Sequence, residues 1–299
     1  RFDFEQRDFQ IKFFEVVRET ICPGIFIVEA PMGVGKTEAA LIGVEQLSAQ
    51  TKASGMFFGL PTQATSDGIF GRINTWLEEI DDEKKSLQLV HGKAALNDSY
   101  TSLTRQNIYD EMDGSVVVNE WFTGRKTAVL DDFVVGTIDQ FLMTALKQKH
   151  LALRHLGFSK KVIVIDEVHA YDAYMNQYLF QALRWMGVYN VPVIILSATL
   201  PAKTRIELIE NYMRGSGKKW RDVKRPKDWE TTEAYPLITY SDGMSIKQFS
   251  DISTTNHSAV SVLRLHEEEL IKTLDEQLKE GGIAGIVVNT VRRAQEITE

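Results

Sequence analysis

A glycine-rich loop between a short apolar run and a helical pattern constrains this chain more than any other feature. Residues 30–37 read APMGVGKT, which fits the phosphate-binding pattern A/G-x-x-x-x-G-K-S/T. The run at residues 25–28 is typical of a buried strand, and the alanines and leucines of residues 38–49 favour a helix. This order predicts a nucleotide-binding βα unit, in which backbone N–H groups and the helix N-terminus hold phosphates. An ordinary strand–turn–helix with a surface lysine is the alternative.

The same order of strand, turn and helix recurs along the chain and predicts the fold class. Apolar, mostly β-branched runs at residues 56–60, 133–135, 162–165 and 193–196 each precede a turn, and helical patterns follow. Continuous rather than alternating apolar strands are typical of a parallel sheet that helices cover on both faces. We therefore predict a three-layer α/β domain with a mainly parallel sheet. Its ligands are expected at the carboxyl ends of the strands.

The pattern changes after residue 213, which predicts the domain organisation. Residues 1–213 are predicted to form one complete domain, residues 214–258 a basic connector, and residues 259–299 the truncated start of a second α/β domain. Beyond residue 213 the pattern indicates strands at 235–240, 260–265 and 283–288 and a helix at 267–280. Residues 214–227 carry seven Lys/Arg against one Asp, which favours a solvated loop, with a phosphate contact as the alternative.

Composition argues against a membrane protein and a disulfide scaffold. No apolar run reaches the roughly 18 residues of a membrane span, and no secretory signal opens the chain. The single cysteine, Cys22, excludes an internal disulfide and fits a reducing cytosol. A net charge of −7 argues against a surface coated in basic residues for nucleic acid. We expect a cytoplasmic protein and, because residue 1 is arginine, a piece of a longer polypeptide.

A second motif, IDEVHA at residues 165–170, predicts an ATP and magnesium site together with the glycine loop. Lys36 would reach the β- and γ-phosphates, and the Thr37 hydroxyl would take a magnesium position. Asp166 would hold Mg²⁺, and Glu167 would orient or deprotonate the attacking water. Acids in the first turn of a helix are the alternative interpretation. The predicted nucleotide-binding residues are Gln10, Met32, Gly33, Val34, Gly35, Lys36 and Thr37.

Several polar residues around this site are candidates for nucleotide sensing. In SATLP, at residues 197–201, Ser197 and Thr199 offer hydroxyls that can change hydrogen-bond partners when the γ-phosphate leaves, although SAT is also a common helix cap. His169 is a candidate for coupling, with a satisfied core histidine as the alternative. The Gln10 amide is suited to the adenine edge, with a surface glutamine as the alternative.

Two loops are candidates for holding a strand of nucleic acid. They are PTQ at residues 61–63 and GTIDQ at residues 136–140. Their small hydroxyl, amide and glycine groups suit phosphate contacts that read no sequence. Thr62 and Thr137 are also expected to cap the helices that follow. The predicted contacts are Pro61, Thr62, Gln63, Thr137, Asp139 and Gln140.

An aromatic pair is a further candidate for nucleic-acid contact. Trp121 and Phe122 lie beside Arg125 and Lys126 in the sequence. Such aromatics can stack on bases, but packing in the core or at a hinge is the favoured interpretation.

In this order the motifs resemble those of superfamily 2 helicases of the DExH type. Their individual residues resemble those of the CRISPR-associated helicase–nuclease of type I systems. The segments that carry the resemblance are APMGVGKTEAAL (30–41), WFTGRKTAVLDDFVVGTIDQFLMTAL (121–146), IDEVHAYDAYMNQYL (165–179) and VVNTVRRAQEI (287–297). The resemblance implies a RecA-like P-loop domain and the start of a second RecA-like domain, with ATP between them. It also implies prokaryotic, ATP-dependent translocation along single-stranded DNA, 3′ to 5′ in polarity, after recruitment by a guide-RNA surveillance complex that has opened an R-loop.

By position, the resemblance assigns ATP and magnesium to Lys36, Thr37, Asp166 and Glu167, coupling to Ser197 and Thr199, and the DNA backbone to Thr62, Gln63, Thr137 and Gln140. Two departures limit it. No His-Asp dipeptide occurs, so we expect no nuclease in this chain. The family's late helicase motifs would lie beyond Glu299, so the fragment is expected to bind Mg-ATP but to hydrolyse it poorly.

Two other functions compete with a DNA motor. One is a DExH motor that acts on RNA, and the other is a binding module that uses ATP only as a switch. The retained acids of DEVH favour a motor. A small-molecule kinase fits worse, since PTQ, GTIDQ and SATLP would have no role.

Overall fold

The computed structural model describes residues 5–80, 85–92, 94–103, 105–106, 116–123, 127–253, 261–266, 269–279 and 281–298. The chain divides into two compact units, Arg1–Thr254 and Thr255–Glu299. In the described part of the chain, no helix is both long enough and apolar enough to cross a membrane.

A mainly parallel sheet forms the centre of the first unit. Its strands are β1 (Pro23–Glu29), β2 (Gly55–Leu60), β3 (Lys85–Val90), β4 (Arg105–Gln106), β5 (Val116–Asn119), β6 (Phe133–Thr137), β7 (Lys161–Ile165), β8 (Val193–Ser197), β9 (Leu237–Asp242) and β10 (Ser245–Phe249). Among the described residues their order is β10-β9-β1-β8-β7-β2-β6-β3-β5-β4. Strands β1 to β8 pair in parallel, whereas β9 is antiparallel to both β1 and β10. The predicted α/β class with a mainly parallel sheet is confirmed.

Helices cover both faces of this sheet. They are α1 (Asp8–Glu19), α2 (Lys36–Thr51), α3 (Gln63–Glu78), α4 (Asp98–Ser102), α5 (Ile138–Leu142), α6 (Leu151–Phe158), α7 (Ala173–Tyr189) and α8 (Ala202–Gly215). Successive residues of β1 point to opposite faces: Phe26 packs in the cluster that holds α1 and α2, and Ile27 packs in the cluster that holds α7 and α8. Both side chains are fully buried, which explains the continuous apolar runs and confirms three layers.

The stretch predicted as a connector belongs to the first compact unit, which extends to Thr254. It supplies β9 and β10, and Trp229 is only 3% exposed. The guanidinium of Arg225 lies 4.0 Å from the centre of the Trp220 ring. The predicted boundary at residue 213 is therefore wrong, because tryptophans and a strand pairing with β1 anchor a segment whose basic composition suggested a solvated loop.

The second unit contains α9 (Leu270–Gln277) and α10 (Val291–Thr298) in its described part. The predicted helix at 267–280 is confirmed over this shorter range. The strand predicted at 283–288 is not formed, and Ile283 and Val287 are almost fully exposed. Residues 261–265 form no strand either, and residue 260 lies outside the described residues. A strand needs neighbours for its N–H and C=O groups, and no strand is present among the described residues of this unit.

Candidate active site

The predicted site motifs follow the carboxyl ends of parallel strands, so they lie along one edge of the sheet. The glycine loop, SATLP and IDEVHA follow β1, β8 and β7, which are neighbours. The PTQ and GTIDQ loops follow β2 and β6, the next two strands in the sheet. The edge therefore has two adjacent halves, one with the three predicted ATP motifs and one with both predicted nucleic-acid loops.

The glycine loop has a backbone that requires glycine at two positions. Gly33 and Gly35 have φ angles of +77° and +86°, in the left-handed region. A Cβ on Gly35 would also clash with the Gln10 amide. Helix α2 begins directly afterwards, at Lys36, so its N-terminal N–H groups open onto the loop.

Gln10 is buried against the glycine loop and hydrogen-bonds to it. It is 2% exposed, its amide nitrogen lies 3.3 Å from the Gly35 carbonyl oxygen, and its amide oxygen accepts from the Arg7 N–H at 3.0 Å. The surface-glutamine alternative is therefore wrong. The Arg7 guanidinium also donates to the Gly33 carbonyl, a contact that no sequence motif indicated.

Lys36 lies close to the predicted acids. Its Nζ donates to the carbonyl oxygens of Ala30 and Pro31, at 2.7 Å and 2.9 Å. Burial lowers the pKa of Lys36, while the charges of Asp166 and Glu167 partly offset this shift. The ammonium is thus held beside both carboxylates by backbone groups of the glycine loop.

The two acids of DEVH occupy the turn after β7. The Asp166 N–H donates to the Gly59 carbonyl at 2.9 Å, and Asp166 Oδ1 accepts from the Glu167 N–H at 2.8 Å. Burial raises the pKa of Asp166 and the charge of Glu167 adds to the shift, whereas Lys36 opposes it. Glu167 has a φ of +54°, a strained value for a residue with a side chain. Such outliers are concentrated at functional sites, where the surrounding structure maintains them.

His169 connects this turn to the end of β8. Its Nδ1 lies 3.2 Å from Ser197 Oγ and 3.4 Å from the Ala198 nitrogen. The fully buried Ser197 donates its hydroxyl to the Thr199 carbonyl at 2.7 Å. The Ala30 N–H donates to the Ser197 carbonyl at 3.1 Å, so the end of β8 also contacts the glycine loop.

The structure rejects the helix-cap interpretation of SAT. Helix α8 begins at Ala202 with Pro201 at its N-cap, and no side chain caps it. Ser197 instead lies between the DEVH turn and the glycine loop.

A cavity of about 460 Å³ gathers most of the predicted nucleotide site. The predicted residues that line it are Gln10, Met32, Gly33, Gly35, Lys36, Thr37, Asp166, Glu167 and His169. The Val34 side chain packs against the core instead. Arg72 of α3 also lines the cavity and pairs with Glu38, a contact that no sequence motif indicated.

The residues fit a magnesium ion that is bound together with a nucleotide. Thr37 and Asp166 line the same cavity and offer a hydroxyl and a carboxylate. A cation would offset the burial that raises the pKa of Asp166. The described residues hold no group of three or more His, Cys, Asp or Glu that could bind a metal alone. Mg²⁺ commonly takes one or two protein ligands and completes its shell with phosphate oxygens and water.

In the second half of the edge, the predicted nucleic-acid residues differ in accessibility. Pro61 is half-buried, and Thr62, Gln63 and Asp139 are exposed. Thr62 caps α3 by accepting from the Thr65 N–H at 3.1 Å, as predicted. Thr137, in contrast, is 8% exposed and makes no side-chain cap for α5, so its predicted capping role is wrong.

Gln140 is held by a neighbouring arginine. Its side-chain oxygen accepts from Arg154 Nη1 at 3.1 Å, and its carbonyl accepts from the same nitrogen at 3.2 Å. Contact of these loops with nucleic acid stays a prediction.

The aromatic pair after β5 does not lie in the core. Trp121 is 76% exposed, and Phe122 is half-buried. The favoured interpretation, packing in the core, is therefore wrong for Trp121. Arg125 and Lys126 lie outside the described residues.

Known proteins resemble the chain in both sequence and structure. Residues 8–208 match the DEAD/DEAH box helicase family. The CRISPR-associated nuclease/helicase Cas3 of Streptococcus thermophilus is 59% identical over 99% of this chain, which covers 33% of that protein. The crystal structure of T. fusca Cas3-ATP has a TM-score of 0.80 at 32% identity, over 98% of this chain and 34% of that one.

One structural relative belongs to an assembly. A chain of a CRISPR RNA-guided surveillance complex in its pre-nicking state has a TM-score of 0.62 at 29% identity, over 91% of this chain and 29% of that one. The chain thus spans about a third of the length of the curated relatives it matches.

Proposed function

The chain belongs to the DEAD/DEAH box helicase family, and on this premise we propose that it is part of an ATP-driven motor that moves 3′ to 5′ along single-stranded DNA in CRISPR interference. One observation carries the proposal. Three nucleotide motifs and two candidate strand-binding loops occupy adjacent halves of one sheet edge. A motor needs this arrangement, because ATP hydrolysis in one half of the edge must change the nucleic-acid contacts in the other half. The similarity to Cas3 proteins supports the CRISPR assignment.

ATP would bind in the 460 Å³ cavity, with its phosphates along the glycine loop. Lys36 would exchange its bonds to the Ala30 and Pro31 carbonyls for phosphate oxygens. Thr37 and Asp166 would hold Mg²⁺, which would neutralise phosphate charge during the reaction. Bound Mg²⁺ would lower the pKa of Asp166 and so would keep this carboxylate ionised despite its burial.

Glu167 is the group we assign to the attacking water. It would orient the water and accept its proton as the oxygen bonds to the γ-phosphorus. The bond between that phosphorus and the β–γ bridging oxygen breaks, giving ADP and phosphate. The positive φ of Glu167 supports this assignment, because such backbone outliers are concentrated at functional sites.

The contact between His169 and Ser197 is the route we propose for coupling. Ser197 contacts the glycine loop through its carbonyl and His169 through its hydroxyl. A change in the γ-phosphate position would therefore reach the end of β8 through two short contacts. Thr199 takes part through its carbonyl, which accepts the Ser197 hydroxyl.

The single-stranded DNA would cross the loops that follow β2 and β6. Thr62, Gln63 and Asp139 are exposed on these loops, and Gln140 is partly exposed. Contacts through hydroxyl, amide and backbone groups grip phosphates without reading bases, as a translocating motor requires. We infer that the partner is the displaced strand of an R-loop, opened in the prokaryotic cytoplasm by a guide-RNA surveillance complex. The relative found in such a complex supports this partner.

Nucleic-acid stimulation of ATP hydrolysis by the full-length protein tests the proposal. Magnesium-dependent hydrolysis is expected to rise with single-stranded DNA and to rise less with RNA of the same sequence. Equal or stronger stimulation by RNA would favour the RNA motor and overturn the DNA assignment, because a protein that contacts 2′-hydroxyls prefers RNA. A fluorophore at the 5′ end of the strand should report arrival of the motor, and arrival only at a 3′ label would overturn the polarity.

A further inference from the structure

Trp121 is presented to solvent by a turn that is anchored through hydrogen bonds of Asn119. The turn begins at Asn119, which is 5% exposed and whose side-chain oxygen accepts from the Trp121 N–H at 3.0 Å. The Asn119 N–H donates to Ser86 Oγ at 3.2 Å, and the Asn119 carbonyl accepts from the buried Gln88 amide at 3.1 Å. The backbone beneath Trp121 is therefore fixed, while the indole is 76% exposed.

This turn lies on the same sheet edge as the candidate strand-binding loops. The strands β2, β6, β3 and β5 are consecutive and parallel, so the Trp121 turn follows the last of four neighbouring carboxyl ends. At the usual strand spacing, β2 and β5 are about 14 Å apart, a distance that a few nucleotides span. The loops after β2 and β3 are also close, since a Cβ on Gly92 would lie 3.6 Å from the Gln63 amide nitrogen.

An indole on a rigid turn suits the flat face of a base. Every nucleobase has a π-face, so stacking adds affinity without sequence preference and complements phosphate contacts that read no sequence. The side chain beside it, Glu120, is an exposed acid, which disfavours a phosphate at this position. This turn therefore suits a nucleobase better than it suits the sugar–phosphate backbone of the nucleic acid.

We propose that Trp121 stacks on a base of the bound single strand and extends the nucleic-acid surface from the PTQ and GTIDQ loops to the turn after β5. This inference rests on the proposed function, since it requires a strand along this edge. The stacking platform lies three strands from the PTQ loop and is separate from the nucleotide cavity, which Trp121 does not line.

Binding of a fluorescein-labelled oligo(dT) to the full-length protein, measured by anisotropy, tests the inference. Trp121→Ala is expected to weaken binding about 5- to 150-fold, and Trp121→Phe should retain most of the affinity. An oligonucleotide of equal length with abasic sites provides the second arm. Wild type and Trp121→Ala should bind the abasic strand equally, because it offers no base to stack on.

Three results would overturn the inference. Unchanged oligo(dT) affinity in Trp121→Ala would show that the ring contacts no base, and would fit a protein contact instead. Equal weakening on the normal and abasic strands would indicate a structural role. Wild-type protein that binds neither strand would refute the proposed function itself, whereas the first two results leave that function intact. ATP affinity of Trp121→Ala should equal that of wild type.

Discussion

His169 Nδ1 lies 3.2 Å from Ser197 Oγ, so the turn after β7 and the end of the neighbouring β8 contact each other directly. Ser197 also accepts from the Ala30 N–H through its carbonyl. One residue therefore contacts both the glycine loop and the DEVH turn, which makes the pair a candidate for transmitting the state of the nucleotide.

His169→Ala and Ser197→Ala are expected to reduce DNA translocation at least tenfold while changing the ATP dissociation constant less than twofold. Removing either partner breaks the same contact, so the double variant should be no worse than either single one. Translocation and ATP binding by the full-length protein provide the measurement. His150→Asn, at an exposed histidine with a φ of +65°, is the matched control. Additive losses in the double variant would show that the two residues act separately.

Lys36→Ala is expected to weaken ATP binding by about 10- to 150-fold, because a charge-assisted hydrogen bond contributes about 1.5–3 kcal/mol. Binding of a fluorescent ATP analogue to the chain measures this. Lys203→Ala, which removes an exposed lysine on α8, should bind as wild type does. Equal affinities for Lys36→Ala and Lys203→Ala would remove Lys36 from the phosphate site.

Arg205→Met should destabilise the first unit by about 3–5 kcal/mol, because it leaves Glu29 buried without its partner. Glu29 ends the strand before the glycine loop, and Arg205 Nη1 lies 2.9 Å from its carboxylate. Burial already raises the pKa of Glu29 despite this ion pair. Chemical denaturation measures the effect. The double variant Glu29→Met/Arg205→Met should recover most of the loss, and a double variant as unstable as Arg205→Met would contradict this explanation.

The buried Lys161 predicts a pH dependence of stability. Its Nζ donates to the carbonyls of Gly157 and Val129, and burial lowers the pKa of Lys161 to about 8. The unfolded chain keeps the ordinary value near 10.5, so it binds more protons between these two values. The free energy of unfolding should therefore rise with pH across this window, by about 3 kcal/mol at most.

Denaturation of wild type and Lys161→Met from pH 7 to 10 isolates this contribution. Wild type should gain stability relative to Lys161→Met as the pH rises, whereas the exposed neighbour Lys160→Met should follow wild type. If the difference in the free energy of unfolding between wild type and Lys161→Met does not change with pH, the lowered pKa of Lys161 is contradicted.

The ATP half of the edge was predictable because its chemistry depends on local sequence. A strand, a glycine loop and a helix are encoded within 29 consecutive residues, 23–51, and the carboxyl end of each parallel strand is fixed by topology. The sequence therefore predicted that Lys36, Asp166 and Glu167 converge, and they line one cavity.

Contacts between distant segments were not predictable in this way. Arg72 reaches the cavity from α3, and Arg205 reaches Glu29 from α8, without any motif to mark either residue. β9 joins the sheet through β1, more than 200 residues away in sequence. The apolar run at 283–288 has the composition of a strand, yet composition cannot supply the neighbouring strands that such a segment needs.

Glu167→Gln is the sharpest test of ATP hydrolysis at this site, because it changes one oxygen to nitrogen at the group assigned to the attacking water. In full-length protein with single-stranded DNA and Mg²⁺, single-turnover hydrolysis of ATP should fall at least 100-fold. The ATP dissociation constant should stay within about threefold of wild type, since we assign phosphate binding to Lys36 and the glycine loop. Glu233→Gln, at an exposed glutamate, should leave both values unchanged. Hydrolysis by Glu167→Gln at the wild-type rate would contradict the assignment of Glu167 to the attacking water.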